Sequence, residues 1–241
     1  MNQPSEQPIT RRERREIERQ DRKGTQLTAQ RKPKKMLLWG GLVLAVCLGI
    51  TGILFAIKKT DGQKPSVQTI ADSDNVKGAR NARAILIEYS DFQCPACSAR
   101  YFLVKKAQEE YGDRVAFVFR HFPLKNIHPN AEPAARAAEA ANKQDKFWEM
   151  HDFLFEKQSD WSSENDPSSK FISYAESLGL DSQKFQTDYA SDEIKKIVDE
   201  AYKNGQKIPI RGTPTYYLNG KFLNPFQSYS ELKQALDEAL K

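Results

Sequence analysis

Two cysteines stand three positions apart in Cys94-Pro95-Ala96-Cys97, where an apolar run stops and an amphipathic helical pattern begins. Two thiols at this spacing can be joined and parted by thiol–disulfide exchange, in which the thiolate both attacks and leaves. Ahead of them, Ile85-Leu86-Ile87-Glu88-Tyr89 reads as a buried strand. Behind them, Cys97, Tyr101, Val104 and Ala107 recur on a helical schedule from Pro95 to about Tyr111. Cys94 therefore falls at the N-cap of a helix and Cys97 within its first turn. Free backbone N–H groups and the positive end of the helix dipole stabilise a thiolate there. Cys94 is expected to be the exposed nucleophile and Cys97 the buried resolving partner.

Each candidate group has a plainer reading. The cysteine pair could be an inert local disulfide or half of a zinc site. Zinc needs four ligands, and the only histidines are His121, His128 and His151, at no metal-binding spacing. No metal and no cofactor are expected, and a C-x-x-C beside a strand–helix–strand pattern favours redox work. Glu88 lies six residues before Cys94. It reads equally as a solvent-facing carboxylate or as a partly buried acid below Cys97 that relays its proton. Thr213-Pro214 precedes a strand-like run, and propensity alone favours an ordinary trans bond. His128 and His151 read as structural, while His121, at a strand end, could approach the site.

The elements that position these groups fall in three parts. Strand Ala84–Ser90, helix Pro95–Tyr111 and strand Val115–Arg120 form a βαβ pattern. From His128 to Gln206 no strand is evident. Helices are expected at Asn130–Gln144, Lys146–Lys157, Pro167–Leu178, Ser182–Ala190 and Asp192–Asn204, with Asn130 and Asp192 as caps. Thr215–Leu218 and Lys221–Leu223 then flank Asn219-Gly220, the strongest short-range hairpin signal. A closing amphipathic helix runs from about Tyr229 to Leu240, and a short strand is possible around Val67–Ile70. The fold class is α/β, one sheet covered by helices with the helical interruption as a second lobe.

Not all 241 residues can share that core. Met36 to Ile57 is a 22-residue stretch without a charge, long enough to cross a bilayer. The region ahead of it is longer than a signal-peptide n-region and no small-x-small cleavage pattern follows, so an uncleaved signal anchor is expected. Residues 1–35 hold 11 Lys/Arg against 5 Asp/Glu, whereas only Lys58 and Lys59 sit just past the stretch. The positive-inside rule puts the N-terminus in the cytoplasm and the C-terminal domain outside. Cys47 lies within the span as a small apolar packing residue. The tail's arginines are interleaved with glutamates and no aromatics, which argues against nucleic-acid binding. The expected organisation is a basic tail at 1–35, an anchor at 36–57, a linker at 58–75, a first domain part at 76–127, a helical insertion at 128–206 and a second part at 207–241.

The segments IEYSDFQCPACSARYF, FRHFPL, HPNAEPAARAAEAANKQDKFWEMHDFLF and RGTPTYYLNG together resemble the DsbA-like thiol:disulfide oxidoreductases, in their membrane-anchored bacterial form, over about residues 72–241. The resemblance implies a thioredoxin fold with an inserted all-helical domain. It implies a cis Thr213–Pro214 bond, in a loop that lies against the cysteines and pairs with substrate peptide through Thr213 and Pro214. It also implies that Glu88 is a buried acid near the site. The dipeptide Pro95-Ala96 departs from the best-known DsbA, which has histidine second; a less oxidising pair is expected here. The implied partners are reduced exported proteins and a quinone-linked membrane thiol oxidase. A reductase or isomerase, a non-enzymatic binding module and a copper-handling protein remain the alternatives.

Overall fold

The computed structural model describes residues 11–28 and 66–241. The chain divides into two compact units, residues 1–62 and 63–241. The apolar stretch 36–57 and Cys47 lie outside the described residues; among those described, no helix is long and apolar enough to cross a membrane. In the first unit, helix α1 (Arg11–Thr28) is rich in Arg, Glu and Gln, all good helix formers, and its described side chains are exposed.

The second unit is built on a five-stranded sheet in the order β1-β3-β2-β4-β5. Its elements are β1 (Asn75–Lys77), β2 (Ala84–Ser90), α2 (Pro95–Tyr111), β3 (Val115–His121), α3 (Ala131–Asn142), α4 (Phe147–Glu156), α5 (Gln158–Trp161), α6 (Ser168–Ser177), α7 (Ser182–Ala190), α8 (Asp192–Gly205), β4 (Thr215–Leu218), β5 (Lys221–Leu223) and α9 (Tyr229–Ala239). Strands β2 and β3 are parallel, joined by α2, and the other pairings are antiparallel. Asn219 and Gly220 both have positive φ (47° and 78°), as the two-residue hairpin turn requires.

Both faces of the sheet are covered. Ala84, Leu86, Phe117 and Tyr216 pack against Val104, Ala107 and Tyr111 of α2 and Leu232 and Leu236 of α9. Ile87, Tyr89, Val118 and Tyr217 form the opposite face with Phe122, Tyr202, Ile208 and Ile210. The third cluster joins Phe92, Cys97 and Phe119 to the helices α3–α8, around the fully buried Trp161, Phe171 and Phe185. Burying each of these aromatics contributes about 1.5–3 kcal/mol.

Three expectations are corrected. Val67–Ile70 is not a strand; the first strand is β1. Residues 66–74, assigned to the linker by their polarity, instead join the second unit. Val67 and Ile70 pack on the sheet, and the Arg120 guanidinium holds Ser66 O at 2.6 Å, Thr69 O at 3.1 Å and the Asp74 carboxylate at 2.7 and 2.9 Å. Asn130 and Asp192 do not serve as side-chain caps. Asn130 reaches away to α5 and the loop after it, and Ser191 caps α8 by accepting from Ile194 N.

Candidate active site

Cys94 is the N-cap of α2, in extended backbone (φ −71°, ψ 122°), with Pro95 opening the helix. Proline suits that position because no intrahelical partner is needed for its missing N–H. Asp91 prepares the approach. Its buried carboxylate accepts from Gln93 N at 2.7 Å and Leu124 N at 2.9 Å, and His128 Nδ1 lies 2.7 Å away. Phe92 packs against both Phe119 and Phe155, with ring centroids 4.9 Å away in each case.

Both cysteines are thiols, and both are buried: Cys97 completely and Cys94 to 6 % exposure. The expected exposed nucleophile is thus corrected. Pro95 and Ala96 are the exposed members of the motif, and the segment before β4 touches Cys94. There the Thr213–Pro214 bond is cis, and the Cys94 thiol donates to Thr213 O at 3.4 Å. Sequence-distant Thr213 and Pro214 are so brought to the cysteine pair.

The two thiols differ sharply in acidity. A hydrogen bond from Cys97 is the main reason that Cys94 is lowered to about 5; burial opposes it, and Thr213 and the backbone N–H groups of Cys97 and Ala96 reinforce it. Burial pushes Cys97 well above the usual thiol range, and the charges of Cys94 and Glu88 push it further. Glu88 sits on the α2 side of β2, level with Phe119 on one neighbouring strand and Tyr216 on the other. Because both sheet faces are covered, the solvent-facing reading fails: Glu88 is buried, and burial lifts its carboxyl to about 7 against the opposing hydroxyls of Ser90 and Tyr216. The arrangement supplies a good nucleophile and leaving group, a protonated partner, and an acid that titrates near neutrality.

The histidines stand apart from this chemistry. His121 Nε2 meets Glu139 Oε1 at 2.8 Å, and His151 Nδ1 meets Asp152 Oδ1 at 3.0 Å. Among the described residues no cluster of His, Cys, Asp and Glu could hold a metal ion. Several groups around the cysteines escape sequence reading: Ser90, Asp91, Gln93, Tyr216 and Gln158, whose Nε2 donates to Cys94 O at 3.1 Å. An amide that bonds across the fold leaves no periodic signal.

The thioredoxin family model Thioredoxin_4 matches residues 71–238. The chain belongs to the thioredoxin family. Its fold is like that of DsbA structures. BdbD from Bacillus subtilis, in its oxidised crystal structure, is 27 % identical with a TM-score of 0.64, over 74 % of this chain and 99 % of that one. Alpha-DsbA1 of Wolbachia pipientis, 20 % identical with a TM-score of 0.65 over 74 % of this chain and 96 % of its own, shares the fold. The Na(+)/H(+) antiporter NhaA 1 of Mycolicibacterium vanbaalenii is 38 % identical over 154 residues, 62 % of this chain and 24 % of the antiporter. The chain thus spans about a quarter of the length of the curated relatives it matches, and antiport is a property of those proteins.

Proposed function

We propose that this protein is a thiol:disulfide oxidoreductase working through Cys94 and Cys97, and that it introduces disulfides into exported proteins. The observation that carries the reading is the placement of Cys94 at the start of α2, against the cis Thr213–Pro214 segment and with Cys97 buried beside it; that placement lowers Cys94 to about 5 and raises Cys97. A thiol that ionises easily is a good leaving group, so a disulfide through Cys94 is readily passed on.

The reaction begins with the Cys94–Cys97 disulfide. A substrate thiolate attacks Cys94 Sγ; the bond to Cys97 breaks, and Cys97 leaves as a thiolate that takes a proton from Glu88. A second substrate thiolate attacks the substrate sulfur of the mixed disulfide, and Cys94 leaves as a thiolate. The substrate dithiol is oxidised to a disulfide and the enzyme pair is reduced to a dithiol. The cis-proline segment, with Thr213 and Pro214, would present its backbone to the substrate chain beside Cys94. A quinone-linked membrane thiol oxidase would remove the two electrons and two protons. The charge asymmetry around residues 36–57 supports a single-pass anchor with the catalytic domain outside the cytoplasm.

A Cys97→Ala variant tests the reading. Mixed disulfides between Cys94 and client proteins are expected to accumulate as adducts that dissolve on reduction; their absence overturns it. The direction is read separately from the pair's resting state in cells. Mostly disulfide is expected of an oxidase. Mostly dithiol would select the second reading, a reductase or isomerase, which Ala96 in place of histidine favours.

A further inference from the structure

We infer that Gln158 is a positioning residue of the redox pair: its side-chain amide, reaching from the helical insertion, holds the Cys94 peptide in the orientation its sulfur needs for exchange. The inference rests on the exchange chemistry proposed above, in which Cys94 is the nucleophile and leaving group.

Gln158 opens the short helix α5, directly after the end of α4. Its Nε2 donates to Phe92 O at 2.6 Å and to Cys94 O at 3.1 Å, so one amide spans Gln93 and grips the chain on both sides of it. Cys94 O also accepts Cys97 N at 3.1 Å and Ser98 N at 3.2 Å, the bonds that start α2. The plane of this peptide therefore sets how the N–H groups of Ala96 and Cys97 aim at the sulfur. These are the same N–H groups that help hold the thiolate.

Gln158 does not act from a loose support. The Gln93 side chain reaches back to the insertion, donating to Ser162 O at 2.6 Å and accepting Asn130 N at 2.6 Å. Asn130 Nδ2 donates to Glu164 O at 2.7 Å. Trp161, fully buried, donates from Nε1 to Leu154 O at 3.0 Å and fixes α5 against α4. The turn before the cysteines and the segment after α4 are stitched together by two amides, Gln158 and Gln93, and Asn130 ties the start of α3 to the same segment. Gln158 is the one that touches the nucleophile's own carbonyl. The helical insertion thus braces the reacting cysteine.

Three substitutions separate positioning from mere packing. Gln158→Leu removes the donor at similar volume, Gln158→Glu replaces it with an acceptor facing two carbonyls, and Gln158→Asn withdraws the amide by one methylene. Gln144→Leu is the control. It deletes a comparable side-chain bridge, to Asp181 N at 2.9 Å and Asp181 O at 3.2 Å, elsewhere in the insertion. The readout is the pH midpoint of Cys94 alkylation on the full-length chain in detergent, followed on the Cys94 peptide by mass spectrometry, with thermal unfolding of the same samples. The midpoint is expected to rise by about one pH unit for Gln158→Leu and Gln158→Glu, and by less for Gln158→Asn, which is the mildest should the others not fold. Gln144→Leu should leave it unchanged. Folded Gln158 variants that keep the wild-type midpoint overturn the inference. A wild-type midpoint in the ordinary cysteine range would instead remove the functional reading itself.

Discussion

Chemistry at the residue scale depends on three groups with displaced acidities, and Glu88 is the most informative of them. Burial raises its carboxyl from 4.5 to about 7, so the folded chain holds this proton more tightly than the unfolded one. The stabilisation is present below pH 4.5 and is lost as pH rises through 7, a loss of about 3 kcal/mol when complete. Cys94, lowered to about 5, contributes stability of the opposite sign over the same range, so the loss is read as a difference: in denaturant unfolding from pH 5 to 8 the wild type should lose most of that amount relative to Glu88→Gln, and a constant difference between the two would overturn the Glu88 assignment. The same variant should slow Cys97's attack on a mixed disulfide at pH 7 by roughly 100-fold, measured by stopped flow, because Cys97 loses its base. Thr213 permits a second check. Its buried hydroxyl has no partner while Cys94 is a thiol, yet it lowers the Cys94 pKa. Thr213→Val should therefore raise Cys94's titration by up to about one unit at little cost in stability.

At the scale of elements, the site is a helix start held from three sides: by β2 below, by the cis-proline segment against Cys94, and by α5 through Gln158. The other face of the sheet depends on close approach of α8 to the loop after β3. A Cβ added at Gly205 would lie 2.5 Å from Phe122 Cδ2, so Gly205→Ala should destabilise the fold by about 1–3 kcal/mol in denaturant titrations. Wild-type stability in that variant would mean Phe122 moves aside freely. The Cys94 titration should be unaffected, since Gly205 and Phe122 pack on the sheet face opposite Glu88.

For the whole molecule, charge and apolarity are segregated along the chain. Residues 1–35 carry a net charge of +6, and the 22 uncharged residues follow at once. Membranes extracted at alkaline pH should retain the full-length chain. Protease added to the outside of cells, after permeabilising any outer membrane, should remove residues 66–241 and spare an N-terminal tag. A protected C-terminal domain would invert the proposed topology.

Local physics explains what was legible in the residues alone. The Cys94–Cys97 helix start, the βαβ unit, the Asn219-Gly220 hairpin and most helices of the insertion are set by short-range periodicity, capping and turn chemistry, and the structure has them in those places. The short helix α5 was missed because four residues carry no period. Whether Glu88 faced water or the core depended on which sheet face the helices would cover. The cis form of Thr213–Pro214 ran against propensity, and the contact of Thr213 with Cys94, the recruitment of residues 66–74 by Arg120 and the grip of Gln158 join groups far apart in the chain. Periodicity carries no record of such meetings, because burial and long-range hydrogen bonds exist only once the chain has closed on itself; tertiary structure alone decided them.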